Sequence, residues 1–209
     1  NAELAIDGSI RLRDNWLSTI DLHFQHLDVD PLLRTRLQGR VTGHSAIAGE
    51  MQLRGPLRQP GDLALSGKLS EVELDVEGLK FRNSGPVQFS SSRDSLRIDP
   101  FRLVGERTDF TAGGTVQLTG DRHLDLQAHG QVNLRLIEKF NSDFTSSGEI
   151  TMDMTVSGTV ANPITQGRAH LLDGAIADVD LPSGLSTLNG SLRFSQNRVQ
   201  IESLNGRTG

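Results

Sequence analysis

The chain has 209 residues, a mass of 22.7 kDa and a formal net charge of −5, from 21 basic and 26 acidic side chains. It contains no cysteine, which excludes disulfides, cysteine-ligated zinc, iron–sulfur clusters and thiol catalysis. The mildly acidic charge is spread along the chain and argues against a nucleic-acid partner. The longest apolar runs, such as Ala175–Ala177, are far shorter than the roughly 20 residues of a membrane-spanning helix.

Apolar and polar residues alternate through most of the chain, which predicts strands with one apolar and one polar face. The residues predicted to share the apolar face are, in chain order, Leu74, Val76, Phe89, Ile98, Val116, Leu118, Leu124, Leu126, Ile150, Met152, Met154, Val156, Leu192, Phe194, Val199 and Ile201. Turn-forming segments such as Ser92–Asp94 and Gly120–Arg122 separate these stretches. We therefore predict a meander of antiparallel strands, each about 4–8 residues long.

Two short segments break the alternation. Residues Asp28–Leu37 predict a short helix, with Asp28 or Asp30 as its N-cap and Pro31 in its first turn. Residues Asn133–Phe140 predict a second helix of two or three turns at most. The absence of a long amphipathic helix from the sequence argues against coiled coils and α/β nucleotide-binding folds.

Several motifs recur in the same order at an offset of about 105 residues, which indicates an internal repeat. For example, Gly8–Leu12 matches Gly114–Leu118, and Gly85–Phe89 matches Gly190–Phe194. We predict one elongated β-repeat domain over 1–209, with one unit at about 8–112 and a second at about 114–209. Because the sequence starts at Asn1 and stops within a strand-and-turn pattern, we expect a fragment of a longer protein. About eight strands per unit would give a sheet roughly 75 Å long.

A long sheet with one apolar face must cover that face. A sandwich packs two sheets together, and a barrel closes on itself. A third arrangement is a trough, folded lengthwise, that holds an apolar ligand. Aromatic residues make up only 4% of the chain, fewer than a sandwich core of this size usually contains. The aliphatic inward positions suit fluid acyl chains, but on these grounds alone both a closed core and an open trough remain possible.

The sequence shows no constellation of catalytic residues. His23 and His26 are close to two aspartates, but residues three apart face opposite sides of a strand. Carboxylates such as Glu71 and Glu73 alternate with apolar residues and therefore belong to the polar outer face. We expect no enzymatic activity, no cofactor and no metal.

The repeat elements carry a family resemblance. Val156–Gly174 is similar to the "GTxxxPxxxGxxxLxxG" element of the TamB/AsmA-like superfamily, and Leu188–Gly206 is similar to its "xGxLxFxxxxxxIxxLxG" element. The first unit contains looser copies, at Gly55–Leu69 and Ser84–Gly105. The resemblance extends over essentially the whole chain and consists of turns and alternation.

The resemblance implies an all-β fold, an elongated antiparallel repeat sheet curled into an open groove that the sixteen residues above would line. Proteins of this family are anchored in the inner membrane of diderm bacteria and extend through the periplasm. The implied function is to shield phospholipid acyl chains during transport from the inner to the outer membrane and in outer-membrane biogenesis. The implied partners are these acyl chains and a TamA- or BamA-like outer-membrane protein. Contacts with that protein and with the membrane would involve regions outside this segment.

Two alternatives remain. The first is a chaperone or assembly module for outer-membrane β-barrel proteins or autotransporters, which would hold an incoming strand at an edge of the sheet. The second is a generic extracellular β module, such as an adhesin. This second alternative requires a closed core.

Overall fold

The computed structural model describes residues 2–13, 15–31, 44–76, 78–138, 144–178, 184–196 and 198–208. Within these ranges, the chain is almost entirely β structure. The strands are β1 (Glu3–Ile10), β2 (Leu17–Asp28), β3 (Ala46–Pro56), β4 (Ala64–Val76), β5 (Leu79–Asn83), β6 (Val87–Ser91), β7 (Ser95–Gly105), β8 (Thr108–Gln117), β9 (Leu124–Asn133), β10 (Phe144–Gly158), β11 (Pro163–Asp178), β12 (Leu185–Ser195) and β13 (Arg198–Thr208). A 3-10 turn spans Pro60–Asp62, and helix α1 spans Arg135–Glu138.

The thirteen strands form one antiparallel sheet in which neighbours along the chain are also neighbours in space. The single departure is β5 and β6, which lie end to end and share the position between β4 and β7. Strands β1 and β13 do not pair with each other, so the sheet is not closed into a barrel. The predicted fold class, an all-β, curled antiparallel sheet that stays open, is confirmed.

The predicted strand length is wrong. Ten of the thirteen strands have between 10 and 16 residues, and only β1, β5 and β6 have 8 or fewer. The cause is a set of β-bulges inside the strands, such as the one between Ile98 and Phe101. A bulge inserts one residue and reverses the alternation, so in sequence it resembles the end of a strand. Fewer, longer strands also shorten the sheet, to about 53 Å across its twelve strand positions.

No second layer of strands covers the sheet within the described ranges, where substantial strand contacts are all between hydrogen-bonded neighbours. The accessible surface of the chain is 13442 Å². A compact monomer of this mass would expose about 9,500 Å². The arrangement is therefore an open sheet, and a two-layer sandwich does not form in this part of the chain.

One small hydrophobic cluster lies near the middle of the strand order, on β5 and β7. Leu79, Phe81 and Leu103 form its buried centre. Half-buried side chains from neighbouring strands and from α1 pack around that centre: Leu74, Phe101, Phe110 and Leu136. Helix α1 thus covers a limited part of the apolar face, and no other described segment outside the sheet is seen to cover the rest.

The predicted helix over Asn133–Phe140 is present as α1, although residues 139 and 140 lie outside the described residues. Asn133 caps it, because its Oδ1 accepts a hydrogen bond from the Arg135 N–H at 3.0 Å. Asp28 accepts a bond from the Asp30 N–H in the same way, at 2.8 Å. Asp28 ends β2, Asp30 and Pro31 are helical, and residues 32–37 of the predicted helix lie outside the described residues.

Asn133 is the fully buried polar centre of its junction. Its Nδ2 donates to the Glu106 carbonyl at 3.3 Å, and its main-chain N–H donates to Thr108 Oγ1 at 3.1 Å. Replacing Asn133 by alanine leaves the Glu106 carbonyl and the Arg135 N–H without these partners. We expect the free energy of unfolding to fall by about 1–3 kcal/mol, as measured by urea denaturation.

The matched control for this prediction is Gln127→Ala, on the exposed face of the same strand. It should change the stability by less than about 0.5 kcal/mol. Equal stabilities of the two variants would contradict the structural role of the buried amide.

Candidate functional site: an apolar sheet face

One face of the sheet is apolar from the first strand to the last. Across nine strands, β1 to β4 and β6 to β10, directly paired residues form one row of apolar side chains and glycines: Ile6, Leu22, Met51, Gly67, Phe89, Ile98, Gly114, Leu126 and Val156. A neighbouring row continues to β13 through Met154, Gly167, Phe194 and Val199. The apolar face is therefore continuous between the two edges.

Fourteen of the sixteen predicted lining residues lie on this face. None of them is among the fully buried residues of the chain. The residues in the inner strands are half-buried, whereas Val199 and Ile201 on the edge strand β13 are 58% and 60% exposed. Such partial exposure is expected for side chains that no second protein layer covers.

Three of the predicted residues differ from the others in their surroundings. Leu118 lies just beyond the end of β8 and is exposed, so the strand does not hold it in the face. Leu74 is on the face but packs against the buried cluster, and so belongs to the protein's own core. The side chain of Val76 lies outside the described residues. Whether lipid contacts the remaining residues stays a prediction.

The apolar face has further members beyond the predicted residues. Ile20, Leu22 and Leu53 alternate as regularly as the chosen residues and could have been found from that signal. Phe101 and Leu103 could not have been found from the alternation, because the bulge after Ile98 shifts by one residue which positions face inward.

Glycines on this face leave space beside the large apolar side chains. Gly67 lies between Met51 and Phe89 on the neighbouring strands, and a Cβ at Gly67 would overlap the Phe89 ring. Gly167 has a φ of +146°, a conformation that other residues rarely adopt, and a Cβ there would collide with Met154. Large side chains such as Phe89 and Met154 can therefore lie flat over the adjacent glycines and need not project from the face.

The opposite face is polar and solvated. A ladder of charges crosses four strands, from Asp153 through Arg168 and Arg193 to Glu202, and Arg193 and Glu202 form an ion pair. A depression of about 530 Å³ on the polar face is lined mainly by polar side chains, such as Asp21, Glu50 and Lys68 of β2 to β4. This face suits contact with water rather than with hydrocarbon.

One bidentate pair on the polar side joins β7 to β8. Arg102 Nε donates to Asp109 Oδ1 at 2.7 Å, and its Nη2 donates to Oδ2 at 2.5 Å. These hydrogen bonds lower the pKa of Asp109 below its usual value and raise that of Arg102. Since both side chains are about half exposed to solvent, the pair fixes the geometry of the hairpin more than it stabilises the fold.

The described residues contain no group of three side chains placed to hold a metal ion. In the same ranges, no helix combines the length and apolarity needed to cross a bilayer. Comparison with known protein families, with curated proteins and with solved structures finds no match for this chain. The chemistry of the two faces is therefore what bears on function.

Proposed function

We propose that this chain shields phospholipid acyl chains along its apolar face, as a periplasmic segment of a TamB/AsmA-like bridge between the two membranes of a diderm bacterium. One observation carries the proposal. The apolar face runs unbroken from β1 to β13, and across most of its extent no protein layer covers it in the described part of the chain.

The energetic need for such a surface is large. Exposing hydrocarbon to water costs about 0.8 kcal/mol per CH₂, or on the order of 12 kcal/mol for one chain of sixteen carbons. An apolar strip that stays in contact with the chain along its path removes most of this barrier. The head group can remain in water at the open side.

A conduit also has to avoid trapping its cargo. The lining repeats the same aliphatic side chains and glycines from strand to strand, and the charged side chains of β10 and β11, such as Asp153 and Arg168, are on the polar face. A lipid would therefore meet similar contacts at each step.

A pair of adjacent positions on β10 gives the sharpest test. Met154 lies on the apolar face, and Thr155, the next residue, lies on the polar face. A photoreactive amino acid is placed at either position, the purified chain is incubated with phospholipid vesicles and irradiated, and adducts are identified by mass spectrometry. We expect phospholipid adducts from position 154 and few from position 155.

Equal adduct yields from the two positions, or adducts from position 155 alone, would reject the proposal. The same experiment in a cell lysate separates the assembly function from lipid transport. Capture of an outer-membrane β-barrel protein, without lipid, at position 154 would favour the assembly module.

A further inference from the structure

The apolar face is packed against protein toward one end of its strands and is open toward the other. Helix α1 follows the end of β9, and its Leu136 packs against the buried cluster. In the half of the sheet nearest to α1, the interior strands bury several apolar side chains. These include Phe24, Val72, Leu79, Phe81, Leu103 and Leu188.

In the opposite half, which we call the open half, apolar side chains of the interior strands remain accessible. Leu22, Ile98 and Leu126 are only half-buried, although a strand pairs on each side of every one of them. At the strand ends of this half, Leu118 and Val160 are 44% and 47% exposed. None of these residues is on an edge strand, so their accessibility is a property of the interior of the sheet.

Five turns at the end of the open half form a continuous rim. They join β1 to β2, β3 to β4, β6 to β7, β8 to β9 and β10 to β11, and we call them the open rim. An ion pair between Arg93 Nε and Asp62 Oδ1, at 3.1 Å, joins the second turn to the third. Main-chain hydrogen bonds join the other turns, from the Leu57 N–H to the Trp16 carbonyl (3.1 Å), from the Leu118 N–H to the Asp94 carbonyl (2.8 Å) and from the Val160 N–H to the Arg122 carbonyl (3.0 Å).

Three successive turns of the open rim each present one arginine: Arg58, Arg93 and Arg122. Neighbouring turns are two strands apart, which corresponds to about 9.6 Å. The Arg58 guanidinium carbon lies 4.8 Å from the centre of the Trp16 ring, a stacking contact that does not use its N–H groups. The Arg93 side chain is 70% exposed despite its ion pair. Within the described ranges, no carboxylate forms an ion pair with Arg122.

The same three turns also carry one aspartate each: Asp62, Asp94 and Asp121. Asp62 pairs with Arg93, and Asp94 accepts a hydrogen bond from Thr119 Oγ1 at 3.2 Å. The positive and negative charges of this stretch are therefore balanced. Charge complementarity favours a head group that carries both a phosphate and an ammonium over a polyanionic head group.

The arginines of the open rim are suited to the phosphate of such a head group. Guanidinium N–H groups donate to phosphate oxygens in bidentate hydrogen bonds. In a phospholipid, a glycerol unit alone separates the phosphate from the acyl chains. A lipid with its chains on the open half therefore has its phosphate at the adjoining rim. Because contacts between exposed ions are weak, the phosphate can move from one arginine to the next without being trapped.

We infer that phospholipids occupy only the open half of the apolar face, with their phosphates bound in turn by the arginines of the open rim. The inference rests on the proposed function. It adds the position of the acyl chains, the position of the head group and the class of lipid, a zwitterionic phospholipid. The half of the face beside α1 is filled by the protein's own side chains and carries no lipid.

Two residues on β9 test the position of the acyl chains. Leu126 lies in the open half, and Val132 lies about 20 Å along the same strand, beside α1. Both side chains are half-buried and belong to the apolar face, so each position accepts a photoreactive amino acid equally well. After irradiation with phosphatidylcholine vesicles, we expect several-fold more lipid adducts from position 126. Equal yields, or a higher yield from position 132, would overturn the inference.

The arginines are tested with phosphatidylcholine vesicles that also contain diacylglycerol with the same acyl chains. Since the two lipids differ only in the phosphate-containing head group, the ratio of their adducts at position 126 measures head-group recognition. Arg93→Gln combined with Arg122→Gln should lower the ratio of phosphatidylcholine to diacylglycerol adducts at least about twofold.

The matched control for the rim variant is Arg97→Gln combined with Arg168→Gln, which removes the same charge from the polar face. It should leave the adduct ratio unchanged. An unchanged ratio in the rim variant, or equal effects of the two double variants, would show that the rim arginines do not bind the phosphate.

Failure of this inference is distinguishable from failure of the proposed function. Phospholipid adducts at positions 154 and 132 but not at position 126 would exclude the assignment to the open half and leave the proposed function standing. The absence of phospholipid adducts at all three positions, in variants that circular dichroism shows to be folded, would overturn both.

Discussion

Replacing Met154 by arginine is expected to stop acyl-chain capture while the sheet stays folded. Met154 is half-buried in the middle of the apolar face, between Ala128 and Gly167 on the neighbouring strands. A guanidinium there would have to lose water whenever hydrocarbon passes, which costs several kcal/mol. Lipid transfer between vesicles should fall at least about tenfold, since 1.4 kcal/mol already corresponds to that factor.

The fold of this variant should survive because no second layer among the described elements packs against Met154. In the absence of lipid, the guanidinium on this uncovered face stays in water, so folding does not bury the charge. Circular dichroism and thermal unfolding check this. The control is Thr155→Arg, on the polar face, which should leave both transfer and unfolding unchanged. Cooperative loss of the fold of Met154→Arg at 25 °C would indicate a closed core and contradict the open face.

Replacing Phe81 by alanine is expected to give the opposite result, with a large loss of stability and no specific loss of lipid capture. Phe81 is 6% exposed and lies at the centre of the buried cluster. Truncating a buried phenylalanine typically costs about 3–5 kcal/mol. That is a large part of the 5–15 kcal/mol by which a typical protein is stable.

The comparison variant is Ile201→Ala. Ile201 is 60% exposed on the edge strand, so its truncation removes little buried area and should cost less than about 1 kcal/mol. Urea denaturation measures both variants. If both lose the same stability, the division between a small buried core and an uncovered face is incorrect.

The sequence alone was sufficient for the fold class and for much of the apolar face. Residues 149–157 pair without interruption, so the alternation that places Met152 and Met154 on one face is visible directly. Beyond a β-bulge, the alternation in the sequence no longer assigns residues to the correct face. Phe101 and Leu103 have the wrong parity for their strand, because the register shifts after Ile98.

The sequence also could not separate core from open face. Leu79 and Phe81 show the same alternation as the uncovered residues, and they are buried because Leu136 of α1 and Phe110 of β8 pack around them. That contact joins residues distant in sequence and depends on how the sheet curls. Whether a second layer would cover the rest of the sheet was undecidable for the same reason.

The end-to-end placement of β5 and β6 has a consequence for how this sheet can vary in length. The register of each is set separately, β5 by its pairing with Leu74 and its neighbours, and β6 by its pairing with Gly67 and its neighbours. Asn83 spans the gap, accepting from the Val72 N–H at 2.8 Å and donating to the Gly85 carbonyl at 2.7 Å. Residues inserted between β5 and β6 can therefore extend the exposed connection at 84–86, and the apolar parity of each strand is preserved.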